Sequence, residues 1–589
     1  MSSHSLDSLF KPRGIAVIGA SENPDKLGSI MIRSLSNFPG PVVGINPKGG
    51  EGLHTSVAEA VEAVGPIDLV ISCVPAPATA NALREASKAG ATSSLICSGG
   101  FAEAGGEFDK YEAELQAAID ETGIRVLGPN TSGFFLPGED LLACFVPSVK
   151  LLKPGKISVI SSSGGVNLAS CYSLARLGQG VRLGVGIGGA INVTATEVLE
   201  YLTEDEATEV VALHIEKVED GPRLRAAVEA ATRKKPVVAL VIGRTDIKEF
   251  ARRHTGSLDT SWELTRSVLR NAGAVVVDTE QEMVESAVAL TGKRIPPKKN
   301  PQASFVTGQA GPGMIIADRL QTDGVDLPYL DSSIVDAIGE ILPPMTHFKN
   351  PVDTGRPAPG LRKIIEITAR DEQLDVLGAF AIVEETLNLT TEFVESGVTH
   401  LPVLASVDGP SETISKAMEI ANQQGIPLLV GPTSLAVGIR ALVEDSRARY
   451  AAELERIEGV AATDSANLAT SSGASAGTTT PADGVTLIAE ARHDDIFRTT
   501  VSLRLGANRT PAEHATPVFK GLAQRLITAV ADADEINRFG ALSEANWQPV
   551  DQVLASLAKT LEENPQTEQV SATLQVSKNG VIVLDSSLS

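Results

Sequence analysis

The sequence has 589 residues, and because a domain usually contains about 100–200 residues, we expect about three to five domains rather than one compact fold. With 43% hydrophobic, 21% charged and only 4% aromatic residues, the composition excludes a disordered chain and favours α/β layers over aromatic-rich β-sandwiches. The formal net charge of −23 argues against nucleic acid and anionic membranes as partners.

The first part of the chain alternates short apolar runs with turns and amphipathic stretches. From Gly14 these runs are GIAVIG, PVVGI, IDLVISCV, TSSLICSG and IRVLG, a pattern typical of a parallel, doubly wound sheet. The pattern restarts at Lys156 and again near Ala303, and Pro and Lys cluster between the blocks. We therefore predict three α/β domains, at 1–148, 149–298 and 299–458.

The last part of the chain has a different character. Residues 459–483 lose their bulky periodicity and become rich in Ser, Thr, Gly and Ala, which predicts a flexible linker. Residues 484–589 open with alternating polar and apolar positions, continue through two helix-like stretches and end in a hairpin signalled by Asn579-Gly580. This segment is predicted to form a small α+β domain.

Small and polar residues follow the predicted strands of the first block. Ligands of open α/β sheets bind at the carboxyl ends of the strands, so these turns together predict one crevice. The pattern departs from GxGxxG, which argues against NAD, and each turn taken alone could be an ordinary tight turn. The turns are Gly19-Ala20-Ser21, Asn46-Pro47-Lys48, Val74-Pro75-Ala76 and Gly128-Pro129-Asn130.

The second and third blocks carry residues suited to phosphate chemistry. The run SSSGG, which contains Ser162, Ser163 and Gly164, lies between a strand and a helix and forms either an anion nest or a plain helix cap. His254 lies in RRHTGSL, where an imidazole can accept a phosphoryl group, and Glu216 ends a neighbouring strand. In the third block, a glycine loop and an NPVD segment are either the second wall of an acyl or phosphate site or ordinary tight turns. They contain Gly311, Asn350 and Asp353.

The order of these motifs resembles that of the NDP-forming acyl-CoA synthetases of the succinyl-CoA synthetase superfamily. VIGAS, INPK, CVPA, GGFAEAG and GPNTSG are similar to the CoA-binding domain of that family. SSSGG, HIEKVEDG and RHTGSL resemble its first flavodoxin-like ligase domain, and TGQAGPG and FKNPVDTG resemble its second. The resemblance covers roughly residues 8–445.

The resemblance implies a Rossmann-like CoA-binding domain followed by two flavodoxin-like domains. It implies that His254 becomes phosphorylated, that Glu216 orients it, and that the SSSGG run holds phosphate. Acyl-CoA, phosphate and NDP would interconvert with a carboxylic acid, CoA and NTP through an acyl phosphate. The residues that the resemblance places along CoA are Gly19, Ala20, Ser21, Lys48, Val74, Pro75 and Asn130.

The sequence also departs from the family. Ser162 stands where Gln is common, and GGAIN stands where the family has an Asn and an Asp. The C-terminal domain resembles only the second half of an ATP-grasp domain, and SATLQ at 571–575 replaces a metal-binding acid and an Asn. Because Mg²⁺ binds through carboxylates and phosphates, we expect ATP or ADP with Mg²⁺ only through a partner subunit.

Two further expectations follow for the chain as a whole. Its four cysteines lack CxxC spacing, no secretory signal is present, and no stretch reaches about 18 uncharged apolar residues, so we expect a cytoplasmic protein without a metal site or membrane association. The exposed edges of a half ATP-grasp domain favour a homodimer or a heteromer with an ATP-grasp subunit. A non-catalytic CoA or acyl-CoA sensor or scaffold, or an acyl transferase without a nucleotide step, stays open as the alternative.

Overall fold

A computed structural model shows two compact units. The first comprises Met1–Lys217, Ala227–Asp259 and Ala272–Tyr450, and the second comprises Val218–Ala226, Thr260–Asn271 and Ala451–Ser589. The residues described are 5–245, 261–355, 360–383, 388–454, 456–459, 462, 465–472, 474–476, 485–506, 510–530, 542, 544–577 and 580–588.

The first sheet of the first unit has six parallel strands. Their order is β3-β2-β1-β4-β5-β6, so the strand order reverses between β1 and β4, where ligands of such sheets bind. The strands are β1 (Ile15–Ile18), β2 (Val42–Ile45), β3 (Leu53–His54), β4 (Leu69–Ser72), β5 (Ser93–Ile96) and β6 (Arg125–Leu127). The helices here are α1 (Asp7–Phe10), α2 (Leu27–Ser34), α3 (Val57–Val64), α4 (Ala76–Lys88) and α5 (Asp109–Thr122).

The second sheet has the order β12-β11-β10-β8-β9-β7 and is parallel except for β7. That edge strand comes from residues before 148, so the chain of the first block contributes to the second sheet. The strands are β7 (Phe134–Phe135), β8 (Pro154–Ser161), β9 (Val181–Gly186), β10 (Val210–Ile215), β11 (Val237–Val241) and β12 (Val275–Val277). The helices along this stretch are α6 (Gly164–Arg176), α7 (Ala195–Glu204), α8 (Gly221–Lys234), α9 (Trp262–Asn271) and α10 (Glu280–Ala289).

The third sheet has five parallel strands in the order β14-β13-β15-β16-β17. Its core is continuous with that of the second sheet through α10 and the long helix α16. The strands are β13 (Ala303–Thr307), β14 (Val352–Asp353), β15 (Val376–Ile382), β16 (Val403–Asp408) and β17 (Leu428–Val430). The helices are α11 (Ala310–Thr322), α12 (Ser332–Gly339), α13 (Leu361–Thr368), α14 (Leu389–Ser396), α15 (Ser411–Gln424) and α16 (Pro432–Ala452).

The second unit contains a six-stranded sheet in the order β18-β23-β22-β19-β20-β21, antiparallel except between β18 and β23. The alternation of the sequence matches this sheet, because every second side chain faces the helices. The strands are β18 (Ser475–Ala476), β19 (Val485–Asp494), β20 (Arg498–Leu505), β21 (Ala512–Ala515), β22 (Gln569–Ser577) and β23 (Gly580–Leu588). The helices are α17 (Ser465–Ser472), α18 (Leu522–Val530) and α19 (Glu544–Glu563).

The α/β class predicted from the sequence is confirmed, but the expectation of a flexible linker at 459–483 needs correction. Residues 465–472 form α17, residues 475–476 pair with β23, and the side chain of Leu468 is buried in the core of the second unit. A helix this short is stabilised mainly by packing of its apolar side chains against a neighbouring core. The Ala462 N–H also donates to Thr560 Oγ1 at 2.8 Å.

Within the described ranges, no helix combines the length and the apolar character needed to cross a bilayer.

Candidate active site

The turn after β1 brings the backbone close to neighbouring strands. Gly19 has a φ of +90°, and a Cβ at this position would lie 3.0 Å from the carbonyl oxygen of Cys73. Gly28, at the start of α2, approaches so closely that a Cβ there would lie 2.4 Å from the Gly19 carbonyl oxygen. Ala20, which follows Gly19 in the turn, is fully buried, and its carbonyl oxygen accepts a hydrogen bond from Asn46 Nδ2 at 2.8 Å. The small residues of this turn are therefore required by packing.

The other residues predicted along CoA lie at the carboxyl ends of the same strands. Ser21 is half-buried, and its Oγ accepts a hydrogen bond from the Asn23 N–H at 3.2 Å. Lys48 is exposed, and within the described ranges no carboxylate forms an ion pair with it. Val74 is half-buried and Pro75 is exposed, immediately before α4. These residues surround the point at which the strand order reverses.

The SSSGG run joins β8 to α6. The Ser163 N–H donates to Ser161 Oγ at 3.2 Å, and Ser161 Oγ donates to the Ser163 carbonyl oxygen at 2.8 Å. A Cβ on Gly164, the first residue of α6, would lie 2.6 Å from Ser132 Oγ, so glycine is needed there. The first N–H groups of a helix have no acceptor within the helix, so this helix start favours an anion.

The hydroxyl of Ser162 is used within the fold. It accepts a hydrogen bond from the Glu216 N–H at 3.1 Å and lies 3.4 Å from the carbonyl oxygen of His214, to which it donates. The Ser162 N–H also donates to that carbonyl oxygen at 3.1 Å. Ser162 therefore ties the end of β8 to the end of β10.

Glu216 lies next to a buried histidine that the sequence analysis did not single out. His214 is 1% exposed; its Nδ1 lies 3.0 Å from Ser161 Oγ, and its Nε2 lies 3.9 Å from Glu216 Oε1. Because the Ser161 hydroxyl donates to Ser163, we assign the His214 proton to Nδ1. The only sequence signal was one polar residue inside the apolar run VVALHI.

A cavity of about 210 Å³ lies where the first two sheets of the first unit meet. It brings Asn130, which has a φ of +56°, together with Ser162, Ser163 and Gly164, so residues predicted for CoA and for phosphate line one space. Gly165 of the SSSGG run also lines the cavity, and the remaining lining residues were not singled out: Cys97, Thr131, Ser132, Phe145 and Gly188. Thr131 and Ser132 lie within GPNTSG and Gly188 begins GGAIN, whereas no predicted motif adjoins Phe145.

The three residues predicted as a second wall lie in the part of the chain that forms the third sheet and its helices, and they do not line this cavity. Gly311 faces open space. The Asn350 side chain is buried, and its Nδ2 donates to the carbonyl oxygens of Ala303 at 3.0 Å and Pro328 at 2.8 Å. Asp353 belongs to β14, a short strand where only a turn was predicted. Asn350 therefore fastens β13 to the loop beside it.

His254 and the two arginines before it lie outside the described residues, so its role stays a prediction.

Comparisons with known proteins agree with this geometry. The model of a CoA binding domain matches residues 13–137, and the model of a succinyl-CoA ligase like flavodoxin domain matches residues 154–290. The matched ranges contain the two sheet edges that meet at the cavity. The fold and the site thus define an α/β protein of the CoA-ligase class.

Whole-chain relatives identify the family. The alpha subunit of acetate–CoA ligase (ADP-forming) II from Pyrococcus furiosus is 30% identical over 455 residues, which are 75% of this chain and 98% of that protein. Acetate–CoA ligase (ADP-forming) I from Archaeoglobus fulgidus is 31% identical over 445 residues, 74% of this chain and 63% of that protein. The chain belongs to the NDP-forming acyl-CoA synthetases, a family of acid–thiol ligases, as its motifs predicted.

A solved structure supports the same assignment. A dinucleotide-forming acetyl-coenzyme A synthetase 1 from Ca. Korarchaeum cryptofilum, in complex with phosphate and ADP, superposes with a TM-score of 0.68 at 25% identity. The match covers 76% of this chain and 98% of that one. These relatives favour the ligase over the alternative of a non-catalytic sensor or scaffold.

Proposed function

We propose that this chain performs the CoA and phosphate half of NDP-forming acyl-CoA synthesis, and that a partner subunit performs the nucleotide half. The observation that carries the proposal is the cavity in which Asn130, from the CoA-binding block, meets the SSSGG run at the start of α6. Relatives that are themselves alpha subunits support a separate partner.

The chemistry divides into two steps on this chain. A phosphate oxygen attacks the thioester carbonyl of acyl-CoA, the carbon–sulfur bond breaks, and CoA leaves as a thiolate that takes up a proton. The nitrogen of His254 then attacks the phosphorus of the acyl phosphate, and the carboxylate leaves. Glu216 is proposed to orient His254, and the start of α6 to hold the phosphate oxygens. Splitting the reaction this way needs a nucleophile that visits two sites, and the glycine in the sequence RRHTGSL is compatible with such movement of His254.

The residues that stand in place of the metal-binding acid and Asn of the family do not fit a magnesium–nucleotide complex, so no nucleotide step is assigned to this chain. Mg²⁺ is usually bound through one or two carboxylates together with phosphates. On β22, Ser571 Oγ lies 2.8 Å from Ser587 Oγ, and the buried Gln575 accepts a hydrogen bond from Thr486 Oγ1 at 2.9 Å. Neither residue is a carboxylate. ATP or ADP with Mg²⁺ is therefore expected on an ATP-grasp subunit of a heteromer, with a homodimer as the other arrangement to test.

Two finer assignments belong to this proposal. Acetate is the first acid to test, because the relatives named above are acetate–CoA ligases. A reducing, cytoplasmic setting is expected because all four cysteines are free thiols.

Arsenate can test the first step without a partner subunit. Arsenate replaces phosphate, and the acyl arsenate hydrolyses, so the purified chain should release free CoA from acetyl-CoA continuously when arsenate is present. The variant His254→Asn should keep this activity, because arsenate acts before the histidine step. A chain that binds CoA in a calorimeter but releases none from a panel of acyl-CoAs would support the sensor or scaffold instead.

A further inference from the structure

Ser132 has a buried, unsatisfied hydroxyl and is one of the residues that line the 210 Å³ cavity. Its side chain is 7% exposed, and its Oγ has no hydrogen-bond partner. Because buried hydroxyl groups are normally hydrogen-bonded, an unpaired one beside a cavity is a candidate to pair with a water or a ligand bound there.

This hydroxyl lies against the start of α6. A Cβ on Gly164 would be 2.6 Å from Ser132 Oγ, and a Cβ on Gly186 would be 3.2 Å from it. The helix start supplies N–H groups without internal acceptors and the positive end of the helix dipole. A buried donor and a helix start therefore converge on one place, where an oxyanion would be bound.

Three other hydroxyl residues line the cavity, Thr131, Ser162 and Ser163, and the hydroxyls of the first two are engaged within the fold. Thr131 Oγ1 donates to the Gly186 carbonyl oxygen and accepts from the Gly133 N–H at 3.1 Å. Ser162 Oγ bridges Glu216 and His214, as described above. The Ser132 hydroxyl is thus free to donate to a ligand without breaking a bond of the fold.

Charge makes each neutral donor important here. The described residues that line the cavity include no lysine or arginine, and the formal net charge of the chain is −23. Among the described residues, N–H groups, hydroxyls and the helix dipole are therefore the groups that can hold an anion in this cavity.

We propose that the Ser132 hydroxyl donates a hydrogen bond to the phosphate bound at the start of α6, alongside the SSSGG run to which the resemblance assigns the phosphate. The ligand is a tetrahedral oxyanion, either inorganic phosphate or the phosphoryl group of the acyl phosphate. The carboxylate of the acid has related chemistry and is separated from phosphate by the test. The inference rests on the proposed function and names a residue for its phosphate site.

Calorimetry with inorganic phosphate tests the assignment in three proteins: wild type, Ser132→Ala and Ser304→Ala. Ser304 is the matched control, because it is fully buried with an unpaired hydroxyl but does not line the cavity. Loss of a hydrogen bond to a charged group predicts phosphate affinity about tenfold weaker in Ser132→Ala. Ser304→Ala should match the wild type, and all three should bind CoA with affinities within about twofold.

Other results would overturn the assignment. Equal phosphate affinity in wild type and Ser132→Ala, no phosphate binding by the wild type with CoA present, or a loss confined to acetate would each contradict it. Arsenolysis separates this failure from failure of the proposed function. If the wild type releases CoA but Ser132→Ala shows an unchanged KM for arsenate, only the Ser132 assignment is wrong; if the wild type releases none, the proposed function is wrong.

Discussion

Replacement of Gly164 by alanine tests how tightly the phosphate site is built. A Cβ there would lie 2.6 Å from Ser132 Oγ and 2.9 Å from the Ser132 backbone nitrogen, distances that real Cβ atoms do not show. Overpacking of this kind costs about 1–3 kcal/mol, and alanine in a helix returns up to about 1 kcal/mol relative to glycine. We therefore expect Gly164→Ala to destabilise the start of α6 by about 1–2 kcal/mol and to narrow the cavity.

Gly165→Ala is the matched control. The nearest atom to a Cβ at Gly165 is Ser163 Oγ, at 3.7 Å, which is an ordinary contact. This variant should be neutral or more stable by up to about 1 kcal/mol. Hydrogen exchange measured by mass spectrometry on a peptide covering Gly164–Arg176, with phosphate calorimetry, would separate the two variants. Wild-type protection and wild-type phosphate affinity in Gly164→Ala would refute the close contact with Ser132.

Three further predictions concern other ionisable residues. Burial, and then two nearby arginines, lower the pKa of His514 to about 3 from an ordinary 6.5. Because the unfolded chain binds the proton more readily, the free energy of unfolding of the second unit should fall by up to about 4–5 kcal/mol between pH 6.5 and pH 3. In unfolding followed by tryptophan fluorescence, His514→Gln should reduce this dependence of stability on pH. A hydrogen bond with Cys73, and then burial, raise the pKa of Cys97 well above its usual range. Iodoacetamide should therefore alkylate the more exposed Cys73 first. Faster labelling of Cys97, measured by mass spectrometry, would contradict this. Asp445 is buried and ion-paired with Arg294, so replacing it by Ala should lower the free energy of unfolding by about 3 kcal/mol. A melting temperature equal to that of the wild type would show that the pair contributes nothing.

The strands of the first unit were predictable because a parallel sheet covered on both faces needs continuous apolar runs. Ile15–Ile18, Leu69–Ser72 and Val210–Ile215 are buried along their whole length. The short strand Phe134–Phe135 was not assigned to its sheet, because its pairing with Val185 and Gly184 depends on a contact that no local pattern encodes. The helix at 465–472 was missed for a similar reason, since its stability comes from the neighbouring core.

The site was predictable as a set of loops but not as a set of bonds. The sequence indicated that Ser162 lies at a helix start, and it does. It could not indicate that the Ser162 hydroxyl is engaged by Glu216, or that Ser132 reaches the same helix start from another block of the chain. Asn350 shows the same limit, because its amide binds two backbone carbonyls that only the folded chain brings together.

The most direct test of the proposed chemistry is transfer of labelled phosphate to the chain itself. With acetyl-CoA and radiolabelled phosphate, and no nucleotide, the wild type should acquire an acid-labile, alkali-stable label, and the peptide that carries it should contain His254. His254→Asn should take up no label while it still releases CoA in arsenate. An unlabelled wild type that nevertheless binds CoA, or a label that persists in His254→Asn, would contradict the account.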